Sequence, residues 1–90
     1  MDKKWFVYIL ICNDQTFYTG ITKNLKSREL AHNLGKGSAY TRVRKPVKII
    51  YSENNLSQSE ALKREVQIKS LTRKEKENLI KCVRPKLNKN

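Results

Sequence analysis

The sequence predicts a small α/β chain of the α+β sandwich type: a three-stranded antiparallel sheet flanked by helices, in the order β-β-α-β-α-α. Three observations predict it. The run Trp5–Ile11 is β-branched and aromatic and is apolar on both faces, as a central strand is. A short turn separates it from a second strand-like run, which makes a hairpin. Two capping boxes later in the chain open helices. Ninety residues are enough for one domain and too few for two. Residues 1–90 are therefore read as a single domain, with its core over about 4–83 and a polar tail over 84–90. A domain this small buries roughly 60–65% of its unfolded surface, so its core is thin.

Each element has its own signal. After Trp5–Ile11, Asn13-Asp14-Gln15 is turn chemistry. The second strand covers Thr16–Thr22, where Gly20 points to a bulge or a close approach by another group. Asn24 is an N-cap for a helix from about Leu25 to Leu34, which Gly35-Lys36-Gly37-Ser38 stops. Residues 35–45 read as a loop carrying Lys36, Arg42, Arg44 and Lys45, with Lys48 just beyond. Pro46 opens a third strand, Val47–Tyr51, and Asn54-Asn55 ends it. Ser57-Gln58-Ser59-Glu60 caps a helix to about Leu71, and Thr72-Arg73-Lys74-Glu75 caps another that ends near Cys82. Pro85 and the polar tail read as frayed.

Composition narrows the function. Lysine and arginine total 20 against 8 acids, a net charge of +12. Such a surplus repels itself, and a polyanion relieves it; nucleic acid is the commonest one in a cell. A solubilising surface is the plainer reading. The charge is spread along the chain rather than set on one face opposite large apolar residues, which argues against a membrane-surface helix. No stretch approaches the ~18–20 apolar residues of a membrane span. Cys12 and Cys82 lie far apart and there is one histidine, so a structural zinc site cannot be built; free buried cysteines are expected. Met1-Asp2-Lys3-Lys4 and the apolar run after it imitate a signal peptide, but Ile11 stands before Cys12 where a small residue is wanted. The expected location is the cytoplasm.

Several residues look out of place. On a helical projection of residues 60–72, Ala61, Leu62, Val66, Ile68 and Leu71 form an apolar arc, and Glu65 falls near its middle with Lys69 one turn on. Either Glu65 makes an i,i+4 ion pair worth only ~0.3–0.5 kcal/mol, or it is a metal ligand or general base. In the earlier helix Arg28 and His32 share a face with Leu25, while Leu30 and Leu34 lie on the other side. A lone histidine is commonly solvated or locally bonded, yet two cationic donors pointed together suit a phosphate. Tyr8 and Tyr18 sit on adjacent strands, either as two core tyrosines or as a phenol pair beside a reaction centre.

Taken together, these residues resemble a known family. Phe6-Val7-Tyr8 and Tyr18-Thr19-Gly20 are similar to the two halves of the GIY-YIG nuclease signature, with Phe6 in place of the first glycine. Arg28, His32, Gly35-Lys36-Gly37, Tyr40-Thr41-Arg42 and Glu65 follow in the order seen in small stand-alone bacterial members. The resemblance implies metal-dependent hydrolysis of a phosphodiester. It implies that Tyr8 or Tyr18 helps deprotonate the attacking water and that Arg28 binds the scissile phosphate. Glu65 would hold one divalent ion, Mg²⁺ or Mn²⁺, and His32 would assist the phosphate or the base. A tyrosine of pKa near ~10 is a poor base unless nearby cations lower it; Arg28, Lys69 and a metal would supply them. A single carboxylate binds such an ion weakly without substrate.

The expected function is an endonuclease acting on DNA, contacted through Lys36, Arg42, Arg44, Lys45 and Lys69, with a protein partner supplying target choice. The alternatives are a non-catalytic nucleic-acid-binding module and an accessory protein of a nucleoprotein complex held by charge alone. The catalytic candidates Tyr8, Tyr18, Arg28, His32 and Glu65 are expected to line one shallow cleft, with the basic segment 36–48 at its rim.

Overall fold

The computed structural model describes residues 3–83, and the tail expected to fray lies outside them. β1 (Trp5–Ile11) is the middle strand, flanked antiparallel by β2 (Phe17–Thr22) and β3 (Lys48–Leu56), so the sheet order is β2-β1-β3. The helices are α1 (Leu25–Asn33), α2 (Ala39–Arg42), α3 (Gln58–Lys69) and α4 (Arg73–Val83). The predicted order is observed, with α2 as one added turn inside the segment read as a loop. Ser38 starts that turn by accepting a hydrogen bond from the Thr41 backbone N–H at 3.1 Å. β3 also runs past Asn54-Asn55. Asn55 takes a positive φ of 61° there, which asparagine tolerates, so these residues bend the strand rather than end it.

β1 is apolar on both faces because both faces are covered. Val7 and Ile9 pack with Tyr51, Ile68 and Ile80 on one side, under α3 and α4. Tyr8, Leu10, Cys12 and Val47 form the second cluster, against Tyr18, Leu25 and Ile49. Alternation along the strand sends successive side chains to opposite sides. The expected caps are present. The Asn24 side chain accepts from the Ser27 N–H at 2.9 Å, and Ser57 with Glu60 and Thr72 with Glu75 form reciprocal boxes.

Polar side chains join α1 to the edge strand. Asn33 exchanges two bonds with the Val47 backbone, at 2.7 and 3.0 Å, and Glu29 accepts from the Ile49 N–H at 2.8 Å. Edge-strand groups that would face solvent are thereby satisfied. On the opposite side, Arg64 of α3 forks onto Glu53 of β3, both bonds at 2.9 Å, and the Tyr51 hydroxyl donates to the same carboxylate. Burial pushes the Glu53 carboxyl up, but the bonds from Arg64 and Tyr51 outweigh it and hold the group below its ordinary range. Burial and the neighbouring Glu53 charge push the Tyr51 phenol up to about 12.

Two sequence expectations need correction. Leu62 and Val66, placed on the apolar arc of α3, are 46% and 67% exposed. The buried stripe is narrower and runs through Ala61 and Ile68, because the helix meets the sheet along one line of contact. Cys12 is a free buried thiol as expected, whereas Cys82 is free but exposed.

Candidate active site

Helix α1 is built inside out relative to its leucines. Leu30 and Leu34 are each 59% exposed, while His32 is fully buried and Arg28 half-buried. The reason lies in what waits on the sheet. The Tyr8 hydroxyl meets His32 Nε2 at 3.0 Å, and His32 Nδ1 meets Thr41 Oγ1 at 2.7 Å. Thr41 Oγ1 is in turn 3.0 Å from Ser38 Oγ. Tyr8, His32 and Thr41 are all fully enclosed, so each polar atom needs a partner, and the chain supplies it.

Two glycines make this packing possible. A Cβ on Gly20 would stand 2.5 Å from the Tyr8 hydroxyl oxygen, and one on Gly37 would stand 2.0 Å from His32 Nδ1. Only a backbone without a side chain allows the phenol and the imidazole to lie so close. Gly20 is thus the site of close approach expected from the sequence, and what approaches is Tyr8.

Around this buried line stand the other candidates. Tyr18, half-buried, sets its ring edge-on to His32 with centroids 5.3 Å apart. Tyr40 stacks on Tyr18 at 5.9 Å, and the Arg44 guanidinium lies 3.8 Å from the Tyr40 ring centre. Arg28 donates Nη2 to the Gly37 carbonyl at 3.3 Å, and its buried Nε has no hydrogen-bond partner among the described residues. Glu65 is 19% exposed and pairs with Lys69 at 3.3 Å, so the i,i+4 ion pair is formed.

Electrostatics tie these groups to one phenol. Burial raises the Tyr8 pKa, and the negative charges of ionised Tyr18 and Glu65 add to that rise. The Arg28 guanidinium beside the ring opposes them and favours the phenolate. Burial and the Arg28 charge both lower the His32 pKa, so the imidazole is neutral at pH 7. Tyr18, Arg28 and His32 are therefore gathered about Tyr8, while Glu65 is tied to it only through its charge; Tyr8 and His32 are fully buried, so they stand behind the expected cleft rather than line it.

The basic candidates are less uniform. Lys36, Arg42 and Lys45 are exposed on the segment that holds α2. Arg44 is already engaged: its Nε bonds Asp14 at 3.0 Å and its Nη1 bonds the Tyr40 carbonyl at 2.8 Å. It braces α2 against the hairpin turn. Thr41, Ser38 and Gly37 were missed as site residues by sequence reasoning. Their one signal was local, a serine three residues before a threonine just after a glycine, which is the pattern of a short capped turn.

The fold and this cluster define a GIY-YIG domain, a nuclease-type fold whose substrates are nucleic acids. The chain belongs to the GIY-YIG family: the family model described as the GIY-YIG catalytic domain matches residues 4–78. It is 50% identical over 80 residues to a UPF0213 protein of Staphylococcus epidermidis, covering 89% of this chain and 96% of that one. A UPF0213 protein of Staphylococcus aureus is also 50% identical, over 84% of this chain and 93% of its own length. Two solution NMR structures share the fold. One is a protein of E. faecalis, 42% identical with a TM-score of 0.60, covering 91% of this chain and 88% of that one. The other is a UPF0213 protein of Bacillus halodurans, 38% identical with a TM-score of 0.56, over 87% and 83% of the two chains.

Among the described residues no group of three or more histidine, cysteine, aspartate or glutamate side chains could hold a metal ion. Among them, too, no helix is long and apolar enough to cross a membrane.

Proposed function

We propose that this protein is a metal-dependent endonuclease that hydrolyses phosphodiester bonds in DNA. The observation that supports it most is Arg28: a guanidinium held in the fold beside Tyr8, with a buried Nε that finds no partner among the described residues. A buried cation left short of acceptors is costly unless an anion completes it. A phosphate does not reach the buried Nε, but it can pair with the exposed side of the same guanidinium and so offset the cost of holding the charge there.

Of the two tyrosines, Tyr18 is the one positioned to meet an attacking water, because it is half-buried while Tyr8 is fully enclosed. Tyr8 stands behind it, its hydroxyl bonded to His32 and its phenolate favoured by Arg28. Arg28 binds the phosphate and steadies the charge that grows on its oxygens. Glu65 is the residue that would hold a divalent ion, Mg²⁺ or Mn²⁺. It is a single carboxylate, paired here with Lys69, so a hard cation would take its remaining ligands from water and substrate oxygens, as Mg²⁺ commonly does with one or two carboxylates. When bound, that ion supplies charge relief at the leaving oxygen. Lys36, Arg42 and Lys45 lead the backbone of the nucleic acid toward the site, and a separate protein supplies target choice.

Glu65→Gln tests this. It keeps shape and removes only charge. The fold should survive, DNA binding should be kept or slightly strengthened, and Mg²⁺-dependent cleavage should drop by at least ~10²-fold, the scale of one lost transition-state stabiliser. Arg28→Ala should abolish cleavage and weaken binding too. Suppose the wild type cleaves no single-stranded, duplex or branched DNA with either ion, and Glu65→Gln changes only stability. Glu65 is then simply the partner of Lys69, and a binding module replaces the nuclease.

A further inference from the structure

We infer that Thr41 is a positioning residue: through Ser38 and the cap of α2 it holds His32 as the Nδ1–H tautomer, leaving Nε2 bare to accept the Tyr8 proton. Thr41 reaches no candidate for substrate contact except through His32. The role rests on the nuclease reading above, but the tautomer itself does not.

The argument is a proton inventory of a closed space. Tyr8 is fully buried, so its hydroxyl hydrogen must go to a protein acceptor. The groups that hydrogen-bond to it are His32 Nε2 at 3.0 Å and Arg28, whose guanidinium only donates, while Tyr18 and Glu65 act on it only as charges. The hydrogen therefore points at Nε2, which must be bare. His32 is neutral, because burial and Arg28 disfavour its charged form. A neutral imidazole with a bare Nε2 carries its proton on Nδ1. That proton has an acceptor at 2.7 Å, Thr41 Oγ1. The Thr41 hydroxyl then donates onward to Ser38, whose Oγ lies at 3.0 Å and whose carbonyl lies at 3.4 Å. The opposite assignment would aim Nε2–H at Tyr8 and leave the buried phenol with its own hydrogen and only a donor beside it.

The position of Thr41 is itself held firmly. Its backbone N–H bonds the Ser38 side chain as part of the α2 cap, and Gly37 keeps the approach to Nδ1 clear of any Cβ. The hydrogen-bonded line thus runs Tyr8, His32, Thr41, Ser38. It joins the phenol to the short helix carrying Tyr40 and Arg42. Which nitrogen of a histidine is free is set by what the other nitrogen bonds, and here a threonine sets it.

His32 is the one histidine of the chain, so its ring nitrogens can be read without ambiguity in uniformly ¹⁵N-labelled protein. Long-range ¹H–¹⁵N spectra of the wild type at pH 7 should show a protonated Nδ1 and a bare Nε2. A protonated Nε2 overturns the inference whatever the enzyme does. Thr41→Val removes the hydroxyl at nearly constant shape. It should move His32 toward a mixture of tautomers and lower cleavage by roughly 10–100-fold, as loss of a histidine-orienting group does. Thr41→Ser should restore both, and it decides the matter if the valine variant does not fold. A valine variant that keeps the wild-type tautomer, or a serine variant that fails to restore it, refutes the role of Thr41. If the wild type cleaves nothing yet the spectra behave as described, the nuclease reading fails and the tautomer lock stands.

Discussion

Gly35 and Gly37 lie two residues apart and should respond to alanine for different physical reasons. At Gly37 the reason is space. A new Cβ would stand 2.0 Å from His32 Nδ1 and 2.5 Å from two ring carbons, so the imidazole must move. Moving it breaks the 3.0 Å bond with Tyr8 and the 2.7 Å bond with Thr41. Overpacking of this kind costs about 1–3 kcal/mol. Orphaning a buried polar group adds about 1–3 kcal/mol. A loss of about 2–6 kcal/mol follows for Gly37→Ala, out of a total stability that for natural domains is about 5–15 kcal/mol. For a domain of this size each kcal/mol shifts Tm by roughly 4–8 °C, so Tm should fall by at least about 8 °C. At Gly35 the reason is backbone. Its φ is +82°, but the nearest atoms to an added Cβ lie at 3.6 Å, an ordinary separation. Gly35→Ala should cost only the left-handed penalty, about 1–2 kcal/mol, and Gly35→Asn less. Urea unfolding followed by circular dichroism measures both, with the His32 ring resonances as a local probe. The reasoning is refuted if Gly37→Ala is no more damaging than Gly35→Ala, or if it leaves the His32 resonances unmoved.

Other outcomes follow from the same geometry. The His32 pKa is lowered in the fold, so below about 6.5 the unfolded chain binds a proton that the native chain refuses. The stability from neutral His32 is complete above that pH and lost as pH falls toward the lower native value; urea unfolding at pH 7.5 and at stepwise lower pH should show it, and His32→Gln should remove that part of the slope. Salt dependence of DNA binding should distinguish the basic residues. Removing Lys36, Arg42 and Lys45 should reduce the slope of log K against log salt by about 0.9 for each phosphate that is no longer neutralised. Arg44→Ala should change that slope less and lower stability instead, because Arg44 already pairs with Asp14; an Arg44 effect equal to the others would show that this pair opens to DNA. Glu53→Gln should destabilise by about 1.5–3 kcal/mol, the scale for a hydrogen bond to a charged group, since Arg64 Nε and Nη2 and the Tyr51 hydroxyl all donate to that carboxylate. An unchanged denaturation midpoint would mean the network adds nothing to the packing of α3 on β3.

The sequence by itself determined the strands, the hairpin, the three capped helix starts and the family. These are local or periodic signals: the two-sided apolar run of β1, the turn at Asn13-Asp14-Gln15, the side chains of Asn24, Ser57 and Thr72. It also singled out Tyr8, Tyr18, Arg28 and His32, whose side chains lie together, because their chemical types are costly to place on apolar faces and so stand out. Only the tertiary structure decided which face of α1 turns inward. Periodicity counts leucines, and Leu30 and Leu34 yielded to His32 because the sheet offers His32 a hydrogen-bond partner that a leucine cannot use. The pairing of Glu53 with Arg64 and of Asp14 with Arg44 was likewise invisible, since each joins residues 11 and 30 positions apart and is set by how helix and turn dock on the sheet. Thr41 is the clearest case. Its neighbours mark only a short capped turn, and its role exists only where the close approach at Gly37 brings Thr41 Oγ1 within 2.7 Å of a buried imidazole.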